Sequence, residues 1–210
     1  MAANWDRAAA ARNAYADLIE PIAGDRADAA TLCGEWTVGH VTGHLVSFVD
    51  VGLGGFLLNM AKHRFDYDRA ADTLARRQGE RPMPELLATL RAKAGKSSAL
   101  PMFPEAMTVL DVVVHTQDVR RGLGLDGTPD PELVAMALGF LTDHRMAAQL
   151  VPKDAYDGLA LAATDLEWAR GEGPEVRGPG EALLMAMTGR PVYDELTGDG
   201  VATLRDRFAG

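Results

Sequence analysis

Helix start and stop signals recur along the first 150 residues, and they limit the fold more than any other feature of the chain. Thr37 is a residue type that caps helix N-termini, and Trp36 and Val41 occupy the two positions of a hydrophobic staple around it. The later run TVLDVVVHT would suit a strand by composition. Its flanks favour a helix instead, because Pro104 suits a first helical turn and Gly122 suits a helix stop. The first 150 residues are therefore predicted to be helical.

The same signals give approximate bounds for each element. Helices are expected over residues 4–20, from 38 to about 63, in two pieces within 68–97, over 104–124 and over 130–149. After Pro152 the pattern changes: residues 158–165 alternate like a strand, residues 167–178 could return as its hairpin partner, and a short helix is expected over 181–188. The predicted organisation is mainly α, with a helix bundle over residues 1–150 and a small α+β region over 151–210.

Charge and cysteine content exclude several classes of function. The 210 residues carry a formal net charge of −9, so the surface repels phosphate backbones and a nucleic-acid partner is not expected. Cys33 is the single cysteine in the sequence and cannot form an internal disulfide. The first 20 residues lack the apolar core of a signal peptide, and no apolar run is long enough for a membrane span. A cytoplasmic protein without membrane partners is therefore expected.

Two predicted helices place ionisable side chains where the apolar pattern expects core residues. His44 shares a face with Val41, Leu45 and Phe48, and His40 precedes it by one turn. On the later helix, Asp111 and His115 are four residues apart and share one face. Two imidazoles and a carboxylate suit a divalent metal with an open coordination position. The alternative is a polar contact without metal, in which Asp111 accepts a proton from a histidine.

Three segments resemble one known family. TLCGEWTVGHVTGHL resembles the second-helix entry of the DinB-like, mycothiol-dependent maleylpyruvate isomerase family, in which a metal histidine follows the Trp by eight residues, at His44 here. DVVVHTQDVRRGLG resembles its second signature, with a carboxylate at Asp111, a histidine at His115 and a further aspartate at Asp118. The C-terminal part, from residue 158 to 190, carries the Asp, Trp, Gly-Pro and Gly-Arg landmarks of the family in order.

The resemblance implies a DinB-like four-helix bundle that holds a divalent metal, expected to be zinc, through His44, Asp111 and His115. It also implies mycothiol as thiol cosubstrate, and an arginine at Arg190 that reaches a carboxylate-bearing substrate; otherwise Arg190 only stabilises a helix end. There are two departures from the family pattern. Asp111 stands where relatives often have the longer Glu, and His40 stands where relatives often have an acidic residue.

The expected function is metal-dependent isomerisation or S-transfer, in which a small-molecule thiol attacks a small electrophile. The alternative from another class is a non-catalytic metal-binding module with a stress or regulatory role, since one fold can carry unrelated functions. A third possibility is a bundle without metal in which Asp111 and His115 pair with each other. Cys33, Trp36 and Trp168 are expected to be packing residues.

Overall fold

The computed structural model describes residues 5–98, 103–152 and 154–209, so residue 4, the start of the first predicted helix, lies outside the described part. Its contacts divide the chain into two compact units, Met1–Asp126 and Gly127–Gly210. The predicted boundary between residues 150 and 151 falls inside the second unit. The division comes earlier because the helix that begins at Pro131 packs within the second unit.

The first unit is helical throughout its regular elements. The helices are α1 (Asp6–Ile19), α2 (Val38–Asp50), α3 (Leu53–Lys62), α4 (Tyr67–Gly79), α5 (Met83–Ala92) and α6 (Glu105–Gly122). Helix α1 packs along α6, and α2 packs mainly on α4, while α5 contacts both α1 and α2. Tyr15, Leu45 and Leu86 are among the side chains that this packing buries completely. The segment with TVLDVVVHT lies in α6, so the flanking signals predicted its type correctly.

One helix predicted from the sequence is divided into two helices in the structure. A single helix was expected from residue 38 to about 63, but α2 ends at Asp50 and α3 begins at Leu53. The break occurs because Val51 and Gly52 both adopt extended backbone conformations. Gly52 occupies the N-cap of α3, a position at which glycine is among the common residue types. The prediction of an uninterrupted helix was therefore wrong at this point.

The close approach of α2 and α4 depends on two glycines. A β-carbon at Gly43 would lie 2.5 Å from the backbone nitrogen of Gly79, and nearer still to the carbonyl oxygen of Ala75. A β-carbon at Gly79 would lie 2.8 Å from the carbonyl oxygen of Gly39. Because these neighbours are backbone atoms, no side-chain rotation can relieve such contacts. The absence of side chains at the two glycines sets the distance between the helices.

The second unit combines helices with a small sheet. Its elements are α7 (Pro131–Asp143), β1 (Ala160–Ala163), β2 (Ala169–Arg170), β3 (Glu175–Gly178), α8 (Gly180–Ala186) and α9 (Val201–Arg207). Helix α7 is shorter than the predicted 130–149, because His144 is extended and accepts a hydrogen bond from the Met146 nitrogen at the start of a 3₁₀ turn.

The sheet has the order β2-β1-β3. Strand β2 pairs with β1 antiparallel, as the predicted hairpin requires, but β3 pairs with the opposite edge of β1 in parallel. Because β2 already occupies one edge of β1, β3 takes the other edge, and it runs parallel to β1 because the chain reverses direction between β2 and β3. Gly171 and Gly173 have positive φ angles, and a β-carbon at either position would collide with the backbone of Leu159 or Gly158. The predicted fold class, mainly α with a small α+β C-terminal region, is confirmed.

Candidate metal centre

His44 is placed by the N-terminus of α2. The Thr37 side chain accepts a hydrogen bond from the His40 backbone nitrogen (3.3 Å), and His40 Nδ1 accepts one from the Thr37 nitrogen (3.3 Å). This reciprocal capping box fixes the start of the helix. His44 lies one turn later on the face that α2 buries, beside Gly43 at the crossing with α4. The cap predicted at Thr37 is confirmed.

The structure brings the three predicted metal ligands together. His44 Nε2 donates to Asp111 Oδ1 at 3.2 Å, and His115 Nε2 lies 3.7 Å from the same oxygen. One ligand atom from each of the three side chains lies within 4.8 Å of the others. Both imidazoles therefore point their ε nitrogens toward one carboxylate, although they come from helices α2 and α6.

The cluster is closed on the histidine side and open at the carboxylate. The side chains of His44 and His115 are 7% and 11% exposed, whereas that of Asp111 is 27% exposed. Water or a small ligand can therefore approach the cluster beside Asp111. A catalytic metal needs an open position of this kind, while a structural metal is usually enclosed.

A second carboxylate orients His115. Its Nδ1 donates to Asp118 Oδ2 at 3.0 Å, and Asp118 is completely buried one turn further along α6. This bond fixes the proton on Nδ1 and leaves Nε2 facing Asp111. Histidine ligands of metals in proteins commonly carry such a carboxylate on their other nitrogen. Asp118 belongs to the sequence signature, and its i, i+3 spacing from His115 accounts for the contact.

Trp36 covers both histidines. Its ring lies 4.9 Å from the His44 ring and 5.7 Å from the His115 ring, measured between centroids. Its Nε1 donates to Asp72 Oδ1 at 2.8 Å, which ties the indole to α4. Phe48 meets the His44 ring edge-on at 5.0 Å. Trp36 was expected to be a packing residue, and the surface on which it packs is the pair of imidazoles.

The charges of the cluster balance one another in the metal-free protein. Burial acts to lower the pKa of His115, but hydrogen bonds with Asp118 and Cys33 and the charges of Asp111 and Asp118 outweigh it and raise the pKa to about 10. Burial acts to raise the pKa of Asp111, but the nearby His44, His115 and Arg12 hold it below its usual value. The proton on His115 is therefore the charge that a bound cation would replace.

Arg12 is a buried cation on the neighbouring helix α1. Its side chain is 1% exposed, and Nη1 donates to the carbonyl oxygens of Ala94 (2.6 Å) and Lys96 (2.7 Å). Burial lowers its pKa to about 10, against the opposing charges of Asp111 and Glu105. The sequence pattern did not identify Arg12, because it stands among the apolar positions of α1 without any partner nearby in sequence.

Three other residues considered from the sequence differ in their surroundings. His40 uses Nδ1 in the capping box, and it is in neither group of possible metal ligands among the described residues. Cys33 is in the second such group, with His115 and Asp118, so it lies nearer the candidate site than a packing role implies. Arg190 lies in the second unit, where its Nη1 donates to the Thr188 carbonyl oxygen at 2.9 Å. Its predicted catalytic role stays a prediction.

The donor set suits a divalent metal. Two neutral imidazoles and one carboxylate are the ligands that catalytic zinc takes from proteins. Asp111, although shorter than Glu, already reaches hydrogen-bonding distance of His44. The same contact also fits the alternative of a polar pair without metal. His115 also approaches this oxygen, as either a metal ligand or a protonated imidazole would.

Fold and site together define a DinB-like helical bundle with a candidate metal centre between α2 and α6. Comparison with protein families gives the particular relationship: residues 8–101 match the family described as the mycothiol maleylpyruvate isomerase N-terminal domain, which confirms the resemblance of the sequence to this family.

Solved structures agree with this relationship. A histidine-to-alanine mutant of mycothiol-dependent maleylpyruvate isomerase matches with a TM-score of 0.61 at 14% identity, covering 93% of this chain and 91% of the other. A second structure of mycothiol-dependent maleylpyruvate isomerase matches with a TM-score of 0.58 at 15% identity and the same coverage. At this identity the likeness establishes the shared fold. No curated protein sequence matches the chain. Within the described residues, no helix is both long and apolar enough to cross a membrane.

Proposed function

We propose that this protein is a metal-dependent enzyme that uses a low-molecular-weight thiol, mycothiol, for isomerisation or S-transfer on a small electrophile. The observation that carries the proposal is the convergence of His44, Asp111 and His115 within 4.8 Å, with Asp111 partly open to solvent. The family match over residues 8–101 supports the choice of mycothiol. The matching structures are of mycothiol-dependent maleylpyruvate isomerase, which supports an electrophilic double bond in the substrate.

The bound metal, expected to be zinc, would favour the thiolate form of the cosubstrate at neutral pH and so make its sulfur a nucleophile. His44, Asp111 and His115 would hold the metal. Asp118 keeps the His115 imidazole in the required orientation through its bond to Nδ1. Trp36 covers the two imidazoles and limits the access of water from its side.

The reaction class follows from thiolate chemistry. Addition of sulfur to one carbon of an activated double bond leaves a single bond that can rotate. Loss of the same sulfur then returns the isomerised alkene and the free thiolate. If the adduct is released instead, the product is a thioether and the enzyme is a thiol transferase. For a carboxylate-bearing substrate, the paired donors of Arg190 would suit the anion.

Metal content tests the site directly. The purified protein should bind about one equivalent of zinc or a similar ion, and His44→Ala and His115→Ala should each abolish this binding. His63→Ala provides a matched histidine control in the same unit, since His63 belongs to neither group of possible ligands. Metal content unchanged in both site variants would refute the assignment.

Asp111→Glu should bind metal at least as well as the wild type if the site accepts the longer carboxylate of relatives.

Thiol consumption separates an enzyme from a binding module. The metal-loaded protein should consume mycothiol, or isomerise a cis-alkene conjugated to a carbonyl, and chelation should stop the reaction. Arg190→Ala should impair turnover of a carboxylate substrate, with Arg205→Ala as an exposed arginine control in the same unit. Firmly bound metal without any reaction across a broad panel of electrophiles would favour the non-catalytic alternative.

A further inference from the structure

A pocket beside His44 is closed by a side chain of α3. The pocket lies between Phe48 of α2, Phe56 of α3 and Leu74 of α4, and all of its lining belongs to the first unit. Its volume is about 10 Å³, which is room for about one water molecule. No organic ligand can enter this pocket while Phe56 keeps its position. Access to His44 from this side therefore depends on where α3 lies.

Burial does little to hold α3 in place. Asn59 is the one residue that this helix buries, and its Nδ2 donates to the Ala70 carbonyl oxygen of α4 at 2.8 Å. Leu53, Leu57 and Leu58 are 44%, 51% and 59% exposed. Segments with few buried apolar contacts open at a lower free energy than the core does. Helix α3 can therefore leave its position while α2 and α4, which pack on each other, keep theirs.

The chain has a joint at each end of α3. At the N-terminal end, Val51 and Gly52 are extended, and the exposed Gly52 donates no backbone hydrogen bond to the described residues. At the C-terminal end, Arg64 and Phe65 have φ angles of 57° and 64°, in the region that favours glycine. This conformation is strained in both residues, so a change of their torsion angles can release strain. The two joints allow α3 to rotate as a unit.

We infer that α3 is a lid over His44, which opens by rotation about Gly52 and the Arg64–Phe65 pair and so withdraws Phe56 from the pocket. The structure holds the closed form. Lids of this kind admit ligands and then exclude water from the groups that react with them. The role of α3 as a gate for the thiol and the electrophile rests on the proposed function, whereas the opening itself does not.

Modification of His44 by diethyl pyrocarbonate measures the opening in the metal-free protein without any turnover. The reagent transfers an ethoxycarbonyl group to an imidazole nitrogen, and it is much larger than the closed pocket. Peptide mass spectrometry gives the rate at each histidine separately. His144, which lies in the second unit, is the internal control and should react at the same rate in every variant.

Gly52→Pro should restrict the N-terminal joint and leave the closed form intact. Gly52 has a φ angle of −67°, which proline adopts, and Val51 before it is extended, as the residue before a proline prefers. The rate at His44 should fall about fivefold, because proline fixes a torsion angle that the opening changes. A misfolded variant would expose His44 and raise the rate, so a fall reports the joint. Gly54→Ala, whose β-carbon would have no neighbour within 4 Å, is the matched control and should react like the wild type.

Asn59→Ala should have the opposite effect, because it removes the hydrogen bond that holds α3 to α4. The rate at His44 should rise about tenfold, as expected for loss of one buried hydrogen bond, while the circular dichroism spectrum stays unchanged. An unchanged rate at His44 in Gly52→Pro or in Asn59→Ala would overturn the lid, since reagents would then reach His44 with α3 in place. If both rates change as expected and the metal-loaded protein consumes no thiol, the lid stands and the proposed function is refuted.

Discussion

The methyl group added by Gly43→Ala should disrupt the crossing of α2 and α4 more than a methyl group added at any other position of these helices. The new β-carbon would lie 2.5 Å from the Gly79 nitrogen, whereas ordinary contacts of this kind begin near 3.4 Å, so the helices must separate by about 1 Å. Overpacking typically costs about 1–3 kcal/mol. The upper end is expected here, because the obstructing atoms of Ala75 and Gly79 are backbone atoms. The gain in helix propensity, about 1 kcal/mol, offsets only part of this.

Urea unfolding, followed by tryptophan fluorescence and circular dichroism, measures the loss. We expect the free energy of unfolding to fall by about 2–3 kcal/mol in Gly43→Ala. The metal content should fall with it, because His44 is the next residue. Gly54→Ala is the matched control: a β-carbon there has no neighbour within 4 Å, so its stability should change by less than about 1 kcal/mol. Equal stabilities of Gly43→Ala and wild type would show that the helices cross at a greater distance.

Three further predictions concern the surroundings of the cluster. The pKa of His115 in the folded metal-free protein, about 10, lies above its unfolded value, so the stability it contributes is fully present below about pH 6.5 and is lost as pH rises toward 10. Urea midpoints of the metal-free protein should therefore decline over this range, and less so in Asp118→Asn; a midpoint that rises would contradict the sign. Trp36→Phe keeps an aromatic ring on the imidazoles but loses the bond to Asp72, and should cost about 1 kcal/mol by the same assay; a neutral result would mean that the bond is replaced by water. Arg12 reaches two carbonyl oxygens from one nitrogen, Nη1, and Arg12→Lys keeps the charge on a shorter side chain; a loss of about 1–3 kcal/mol is expected, and full stability would show that the ammonium reaches both oxygens.

Local signals predicted most of the helices of the first unit. The cap at Thr37 and the flanks of α6 depend on neighbours in sequence, so the sequence alone was enough to assign them. The break between α2 and α3 was missed, because a glycine inside a helix and a glycine at an N-cap look alike in sequence. The parallel pairing of β3 was missed for a related reason: turn residues show where a chain reverses, but not which edge of β1 is already occupied.

The part of the candidate site that lies on the buried faces of α2 and α6 could be predicted from the sequence. Asp111 and His115 share a face by spacing, and His44 lies on the buried face of α2, so their meeting followed from packing two such faces together. Cys33 could not be found in this way. It lies in a loop, and its approach to His115 and Asp118 depends on long-range contacts, for which spacing carries no signal.

The three candidate ligands are unevenly distributed along the chain, and this has a consequence for folding. Asp111 and His115 are neighbours on α6, but His44 is 67 residues before Asp111, so the unfolded chain must close a long loop to gather all three. A metal ion would therefore bind the folded state in preference to the unfolded ensemble. At a free concentration 1,000 times its Kd, it would add about 4 kcal/mol to the free energy of unfolding. The apparent melting temperature of the purified protein would then report the metal supply of the medium in which it was produced.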